Sequence, residues 1–492
     1  MSWKLVSVLN QITFWLSWAL ITLNVSQTEG IFVRPLLFYV RFGTTRYPVG
    51  AILIVPLVAA LTTLILWWPR RSEPRHRWRI GHPGMTIAVV TLGSWALVRS
   101  LPVHSLSVLI PTIVAVVIFW CAYGHIVQTR QADWFLVTLG ILALIHGGVA
   151  VAQFVRQGSI GLTFLGELRL DPQIRGSSVI EVGGQRWLRA YGLLPHPNVL
   201  GGMMGMVLFI GLGALLGEKD ERRAGVRRRL WRLGPAESVG IAAVVGIAAV
   251  AGRAAVVGVA AVAGIAAVVG MGAVAGLFLS FSRSAWLGTG VGLLYFALTT
   301  RLWLRISWRA EWRRYLLTAG AILIVISGTG LGSLAMARLG QASSLLERNS
   351  VSERVRDIGQ ALMLIRHLPL TGVGTGYYLD ALWAWAGATE QYFPAFQHVH
   401  NVPLLVGAEM GLPGMGLWLC LVTLPVINLA WAARREPLQP ARAALGAAFL
   451  FVLTVSMLDS WPHLLHFRSA ALLGALCGVW AQTTMEASTD ET

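Results

Sequence analysis

Apolar runs of about 20 residues recur along the whole chain, and each is long enough as a helix to cross a hydrocarbon core of about 30 Å. They dominate the composition: of 492 residues, 55% are hydrophobic and only 12% are charged. That charged share is about half the usual one, and a single water-soluble core stops growing at about 250 to 300 residues. The fold class read from this is an all-α polytopic membrane protein with about 12 transmembrane helices. A formal charge of +17 would suggest nucleic acid in a soluble protein. Here the Arg clusters occupy alternate gaps between apolar runs, as cytoplasmic loops do, so the bilayer is the expected partner and nucleic acid is not.

In chain order, spans are expected at 3–25, 48–68, 83–101, 108–128, 132–155, 196–216, 284–304, 315–335, 402–432, 441–459 and 469–484, with one further crossing inside 237–281. Basic runs at 69–82, 219–232 and 301–314, with Arg434 and Arg435, mark the cytoplasmic side and place both termini there. Residues 1–335 then hold the first nine spans, 336–400 form a longer outer loop, and 401–492 hold the last three and a short tail. No small-residue cleavage site precedes Gln27, so the first apolar run is expected to be a retained helix. Cys121, Cys420 and Cys477 all lie in apolar runs and imply neither a disulfide framework nor a thiolate metal site.

The tract 239–276 repeats a GIAAVV-type hexapeptide, with Gly at 240, 246, 252, 258, 264, 270 and 276. A period of six advances about 240° around a helix, so these glycines spread over three faces and form no single packing seam. A small-residue helix lengthened by duplication is the expectation, with little chemistry in it.

Polar candidates gather where the spans open outward. Arg189 lies in RAYGLLPHPNVLGG, before a helix start carrying Pro197 and Asn198. Such an arginine can grip a phosphate in bidentate fashion beside free helix N–H groups, or it can snorkel to lipid headgroups; Asn198 can be only a cap. Arg283, in SFSRSAWLG, stands between two spans with almost no loop, where an unpaired guanidinium is costly; the alternative is a turn residue reaching headgroup phosphate.

Within the outer loop, apolar residues 355, 358, 362 and 365 mark one face of an amphipathic helix. Arg354 and Arg356 on it are candidate substrate contacts, with surface pairing to Glu353 and Asp357 the preferred alternative. The GVGTG that follows is weak evidence for a phosphate cradle, since no strand precedes it, and reads instead as a turn that repositions the chain. His398 and His400 can be a base, a metal pair or caps, and a spacing of two is poor zinc geometry. Asp459, His463 and His466 could share a helical face, but Pro462 breaks it, so an interfacial turn is expected there rather than a metal site.

Four segments in order carry a family resemblance: RAYGLLPHPN, FSRSAWLG, ERVRDIGQALMLIRHLPLTGVGTGYY, and His400-Asn401 followed after nine residues by Gly411-Leu-Pro-Gly414. With them the chain resembles the O-antigen ligase and O-antigen polymerase superfamily of bacterial membrane glycosyltransferases. The resemblance implies a GT-C-like helical fold in the bacterial cytoplasmic (inner) membrane, with its active site on the outer face. It implies transfer of a glycan from an undecaprenyl-diphosphate carrier to a hydroxyl on lipid A core, a growing glycan or a protein, with no metal ion and no cofactor.

By matching position, Arg189 and Arg283 would hold the diphosphate and His400 would act on the acceptor hydroxyl or assist the leaving group. Asn198, Arg354, Arg356, His398 and Asn401 complete the set as substrate-binding candidates, His398 as a supporting residue. The hexapeptide repeat is not part of the family pattern. Polymerase and protein O-oligosaccharyltransferase activities stay open beside ligase. A transporter, from a different class, is disfavoured because the polar candidates gather at one membrane face rather than near the midplane. Arg189, Arg283 and His400 are expected to converge around one outward cavity.

Overall fold

The computed structural model describes residues 39–42, 45–48, 81–103, 106–129, 132–174, 176–223, 269–301, 331–341, 345–389, 397–463 and 467–489. The spans expected at 3–25 and 48–68, most of 315–335 and most of the hexapeptide tract lie outside the described residues.

The described chain is mostly helical. Its helices are α1 Pro83–Ser100, α2 Leu106–Thr129, α3 Ala132–Arg156, α4 Pro197–Arg223, α5 Val269–Leu279, α6 Arg283–Thr300 and α7 Leu331–Met336. There follow a π-helical turn Ala337–Gln341, α8 Leu345–His367, α9 Tyr378–Thr389, α10 Val402–Arg435, α11 Pro440–Ser456 and α12 Phe467–Thr489. Two short antiparallel hairpins, β1 Tyr39–Phe42 with β2 Thr45–Pro48 and β3 Val179–Val182 with β4 Gln185–Leu188, add strands that the all-α expectation did not include. By length and composition, two described helices can cross a membrane: Phe135–Arg156 within α3 and Val402–Arg435.

Small residues let the helices approach closely. A Cβ on Gly147 of α3 would meet the Gly272 carbonyl of α5 at 2.4 Å, so these backbones touch. Gly202, Gly205 and Gly292 make room for the rings of Trp461, Phe451 and Phe209. The core they frame is aromatic at its widest points, with Phe119, Phe209, Phe449, Phe451, Trp418 and Trp480 fully buried. Away from it, Ile87, Val90 and Val98 of α1, Leu287, Leu294 and Leu298 of α6, and Ile427 and Trp431 of α10 are exposed. Helices apolar on both faces are those of a large core or a membrane span.

The helices run between two distinct ends. At one, the Leu438 N–H donates to Thr299 O at 2.9 Å, and Arg301 reaches the carbonyls of Ala433 and Arg434 at 3.4 Å each. At the other meet the ends of α1, α3 and α11 and the starts of α4, α6 and α10, tied by Asn401 Nδ2 to Met457 O (3.0 Å) and Gln153 Nε2 to Gly192 O (2.8 Å).

At that second end α10 is broken. Pro413 has no N–H to offer the Glu409 carbonyl one turn back, and Gly411 leaves the helical region (φ 73°, ψ 177°). The turn after α8 takes up the exposed acceptors: Val373 N donates to Ala408 O (2.8 Å) and Gly374 N to Glu409 O (2.9 Å). Trp95 Nε1 takes the next carbonyl, Met410 O, at 2.8 Å. In return Leu412 N donates to Pro369 O at 2.7 Å. A Cβ on Gly372 (φ +62°) would stand 2.4 Å from the Glu409 carbonyl carbon, and one on Gly411 would stand 2.4 Å from Leu370 O. The Gly-rich GVGTG is therefore the seat of a helix break, which accounts for its glycines without any phosphate.

Candidate functional site

Arg189 follows the β3–β4 hairpin and is buried. Its Nε donates to Ser280 O (2.8 Å), and its Nη2 to Asn198 Oδ1 (2.6 Å). Asn198 passes the connection on, its Nδ2 donating to the Asp459 carboxylate, whose other oxygen receives the Ser460 N–H at 2.8 Å. The side chain of Asn198 thus bridges Arg189 and Asp459 rather than capping α4, and both of its ends are engaged by protein. The 457–463 segment is a turn, as expected, and among the described residues no group of three His, Cys, Asp or Glu could hold a metal.

Next to Ser280 the chain turns sharply, with Phe281 at φ 45°. Arg338, from the π-helical turn, donates its Nε to Phe281 O at 3.0 Å. Consecutive carbonyls of one turn therefore anchor two arginines from distant parts of the chain, and Arg283 opens α6 two residues later with Ser282 as its N-cap. Arg338 was not among the residues singled out from sequence. Nothing in its local pattern, a basic residue before a polar stretch, distinguishes it.

His196 reports on the neighbourhood. Its Nδ1 accepts the Asn198 N–H and its Nε2 pairs with Ser178 Oγ, both at 3.1 Å, which fixes the neutral tautomer with the proton on Nε2. Burial, and then the charges of Arg189, His400, Arg338 and Arg354, push its pKa down to about 3. Arg189 and His400, 211 positions apart in the numbering, thus share one electrostatic neighbourhood with two further arginines.

The histidine segment is built differently. Asn401 is the N-cap of α10, its Oδ1 accepting from Leu404 N at 2.9 Å while its Nδ2 holds Met457 O, so this candidate acts on the backbone. His398 stacks on Tyr378 of α9 with centroids 5.9 Å apart. Gln397 Nε2 donates to Asp357 Oδ2 (2.9 Å), and Asp357 also pairs with Arg356 (3.2 Å), so Arg356 follows the ion-pair alternative. Burial lowers the basicity of His398, Glu409 opposes that, and His463 and His400 add to it. His400 Nδ1 is buried with no hydrogen-bond partner among the described residues, an arrangement that calls for a functional explanation.

A bundle of apolar helices with guanidinium and imidazole groups collected at one end fits an all-α membrane protein. Residues 266–419 match the family model described as O-antigen ligase, which bears out the family resemblance and takes in three of its four motifs, RAYGLLPHPN lying outside the match. The match takes in Arg283, Arg338, Arg354, His398, His400 and Glu409; Arg189, Asn198 and Asp459 join that segment through tertiary contacts. No curated protein matches the chain.

Proposed function

We propose that this chain is an O-antigen ligase-like glycosyltransferase of about 12 spans and GT-C-like architecture, acting at the outer face of the bacterial cytoplasmic membrane. The donor is a glycan on undecaprenyl diphosphate, and the acceptor is a hydroxyl of lipid A core, another glycan or a protein. The observation that carries this reading is the gathering of Arg189, Arg338, Arg354 and His400 around His196 at one end of the bundle. Arg301, Arg434 and Arg435 lie toward the opposite end, the distribution expected if that end is cytoplasmic.

The chemistry follows from charge. The acceptor oxygen attacks the anomeric carbon as the bond to the carrier phosphate breaks, and the departing diphosphate takes the electron pair. Arg189 and Arg283 stabilise that developing charge, Arg189 the more strongly because it is buried and held by two hydrogen bonds before the reaction. His400 receives the acceptor proton. Arg354 contacts the donor; Asn198, Arg356, His398 and Asn401 support the site through the partners described above.

The test is transfer in detergent from a defined undecaprenyl-diphosphate-linked oligosaccharide to lipid A core, to glycan and to protein acceptors in parallel. The wild-type protein should transfer to one acceptor class, with and without EDTA. His400→Ala should lower the rate about 10²- to 10⁴-fold. Transfer retained by His400→Ala removes that residue from the chemistry, and loss of wild-type transfer in EDTA overturns the metal-free scheme.

A further inference from the structure

Arg189 is gripped through its backbone as well as its guanidinium, by side chains from the end of α3. Gln153 of α3 is fully buried; its Oε1 accepts the N–H groups of Tyr191 (3.1 Å) and Gly192 (2.9 Å), and its Nε2 donates to Gly192 O (2.8 Å). Its orientation is set by the buried Glu167, whose Oε1 receives the same Nε2 at 3.0 Å. The Glu167 carboxyl also takes the N–H groups of Ile160, Gly161 and Leu162, at 2.7, 2.8 and 2.6 Å. Just past the end of α3, Gln157 Oε1 accepts from Leu188 N at 2.7 Å, and its Nε2 donates to Phe154 O at 2.6 Å. Two glutamines thus hold the chain on either side of Arg189.

Gln157 makes its contact from an unfavourable backbone. It follows the last residue of α3 at φ 53°, in the left-handed region where a helix end ordinarily takes Gly or Asn. Among the described residues three that are not glycine have positive φ, and two of them adjoin the anchors of Arg189. Gln157 binds Leu188, and Phe281 follows Ser280, whose carbonyl takes Arg189 Nε. Phe154, whose carbonyl Gln157 also engages, packs on both sides of this anchorage, its ring centroid 6.4 Å from that of Trp187 and 5.9 Å from that of Phe281. Strain kept at a residue that glycine would relieve points to a task for the side chain.

We propose that Gln157 is a positioning residue: from its left-handed backbone it fixes Leu188, the last residue of β4, and through it the stem of the arginine that meets the donor diphosphate. The inference rests on the transfer reading above and extends it to a residue with no role so far. Arg189 is then held at its head by Ser280 O and Asn198 Oδ1, and at its stem by Gln157 and Gln153. An arginine fixed at both ends meets the charge that develops on the leaving diphosphate without reorganising. A loose stem lets the guanidinium drift from the reacting bond. Gln153 and Glu167 are buried and serve the fold as well. Gln157 is only half-buried, so its contribution can be separated from folding.

The experiment compares Gln157→Gly and Gln157→Asn with wild type, as full-length proteins in detergent, by transfer from the undecaprenyl-diphosphate-linked oligosaccharide and by thermal unfolding. Both substitutes accept the left-handed backbone; Gly has no side chain and Asn is a methylene shorter, so neither holds Leu188 N. Relief of strain then offsets the lost hydrogen bonds, and unfolding temperatures should stay within about 4 °C of wild type. Over the same variants kcat should fall about 10-fold or more, with the donor KM within about threefold. In an Arg189→Ala background Gln157→Gly should cost no more than about twofold further, because the grip acts through that arginine. Wild-type kcat in either variant, or an undiminished loss in the Arg189→Ala background, overturns the inference alone. So do unfolding temperatures that drop well beyond that range in both variants, since the side chain would then serve the fold; if only Gln157→Gly drops, Gln157→Asn decides. A wild-type protein inactive with every acceptor overturns the transfer reading and this inference with it.

Discussion

Arg189 and Arg338 are fixed by the carbonyls of Ser280 and Phe281, whereas His398 and His463 are arranged around one buried carboxylate, Glu409. A guanidinium anchored by its Nε to a carbonyl keeps its charge at every physiological pH. At His398 burial lowers the basicity of the imidazole and the Glu409 carboxylate opposes that, so the surroundings set the state of this half of the site. The difference teaches that charge stabilisation and proton transfer, though neighbours, should respond separately to substitution.

The largest expected effect lies in the arginine half. Arg189→Ala should reduce transfer about 10²- to 10³-fold. Arg189→Lys should recover little, since a lysine cannot hold Ser280 O and Asn198 Oδ1 with one planar fork. Initial rates across pH would show the acidic limb unmoved; a shifted limb would break the distinction between the halves.

An intermediate effect belongs to the joint beneath the histidine half. Gly411 sits at φ 73° and ψ 177°, a region nearly closed to other residues, with Leu370 O where its Cβ would be. Gly411→Ala should cost about 1 to 3 kcal/mol of stability, seen as a lower unfolding temperature in detergent. An unchanged unfolding temperature would mean that the break in α10 is pliable and does not hold Glu409 in place.

The smallest effect is at His196, which should stay neutral through transfer. Its folded pKa of about 3 lies below the ordinary value of 6.5, so the unfolded chain binds the extra proton between those limits. Stability should therefore fall as pH drops from 6.5 toward 3, and His196→Gln should lessen that loss. Unfolding temperatures of the two proteins in acid would measure it. Equal acid sensitivity would mean that burial and the neighbouring arginines together do not suppress this imidazole.

Much of this was legible from one dimension. Apolar runs located α1, α2, α3 and α6 to within a few residues at either end, because a helix that must be apolar along its length leaves an unbroken signal. Arg189, Arg283 and His400 stood out because polar groups at the mouths of such helices are costly. Three things were not legible. The β3–β4 hairpin is a short polar insertion between spans with only a weak pattern of its own. Arg338 gains its place from a carbonyl 57 residues away. Glu409 did carry a signal, a lone acid in an apolar helix, but its partner His463 is 54 positions distant and looked like part of a separate cluster.

The sequence by itself determined that this chain is helical and suited to a bilayer, since hydrophobic length is a local property. The break at Gly411 inside the span expected at 402–432 was not read from the sequence, although Pro413 lacks the N–H that an unbroken helix needs there. Only the tertiary structure decided which polar groups work together. Charges act through space, and Arg189, Asn198 and Asp459, or His398, Glu409 and His463, become neighbours only when distant helix ends meet at one end of the bundle.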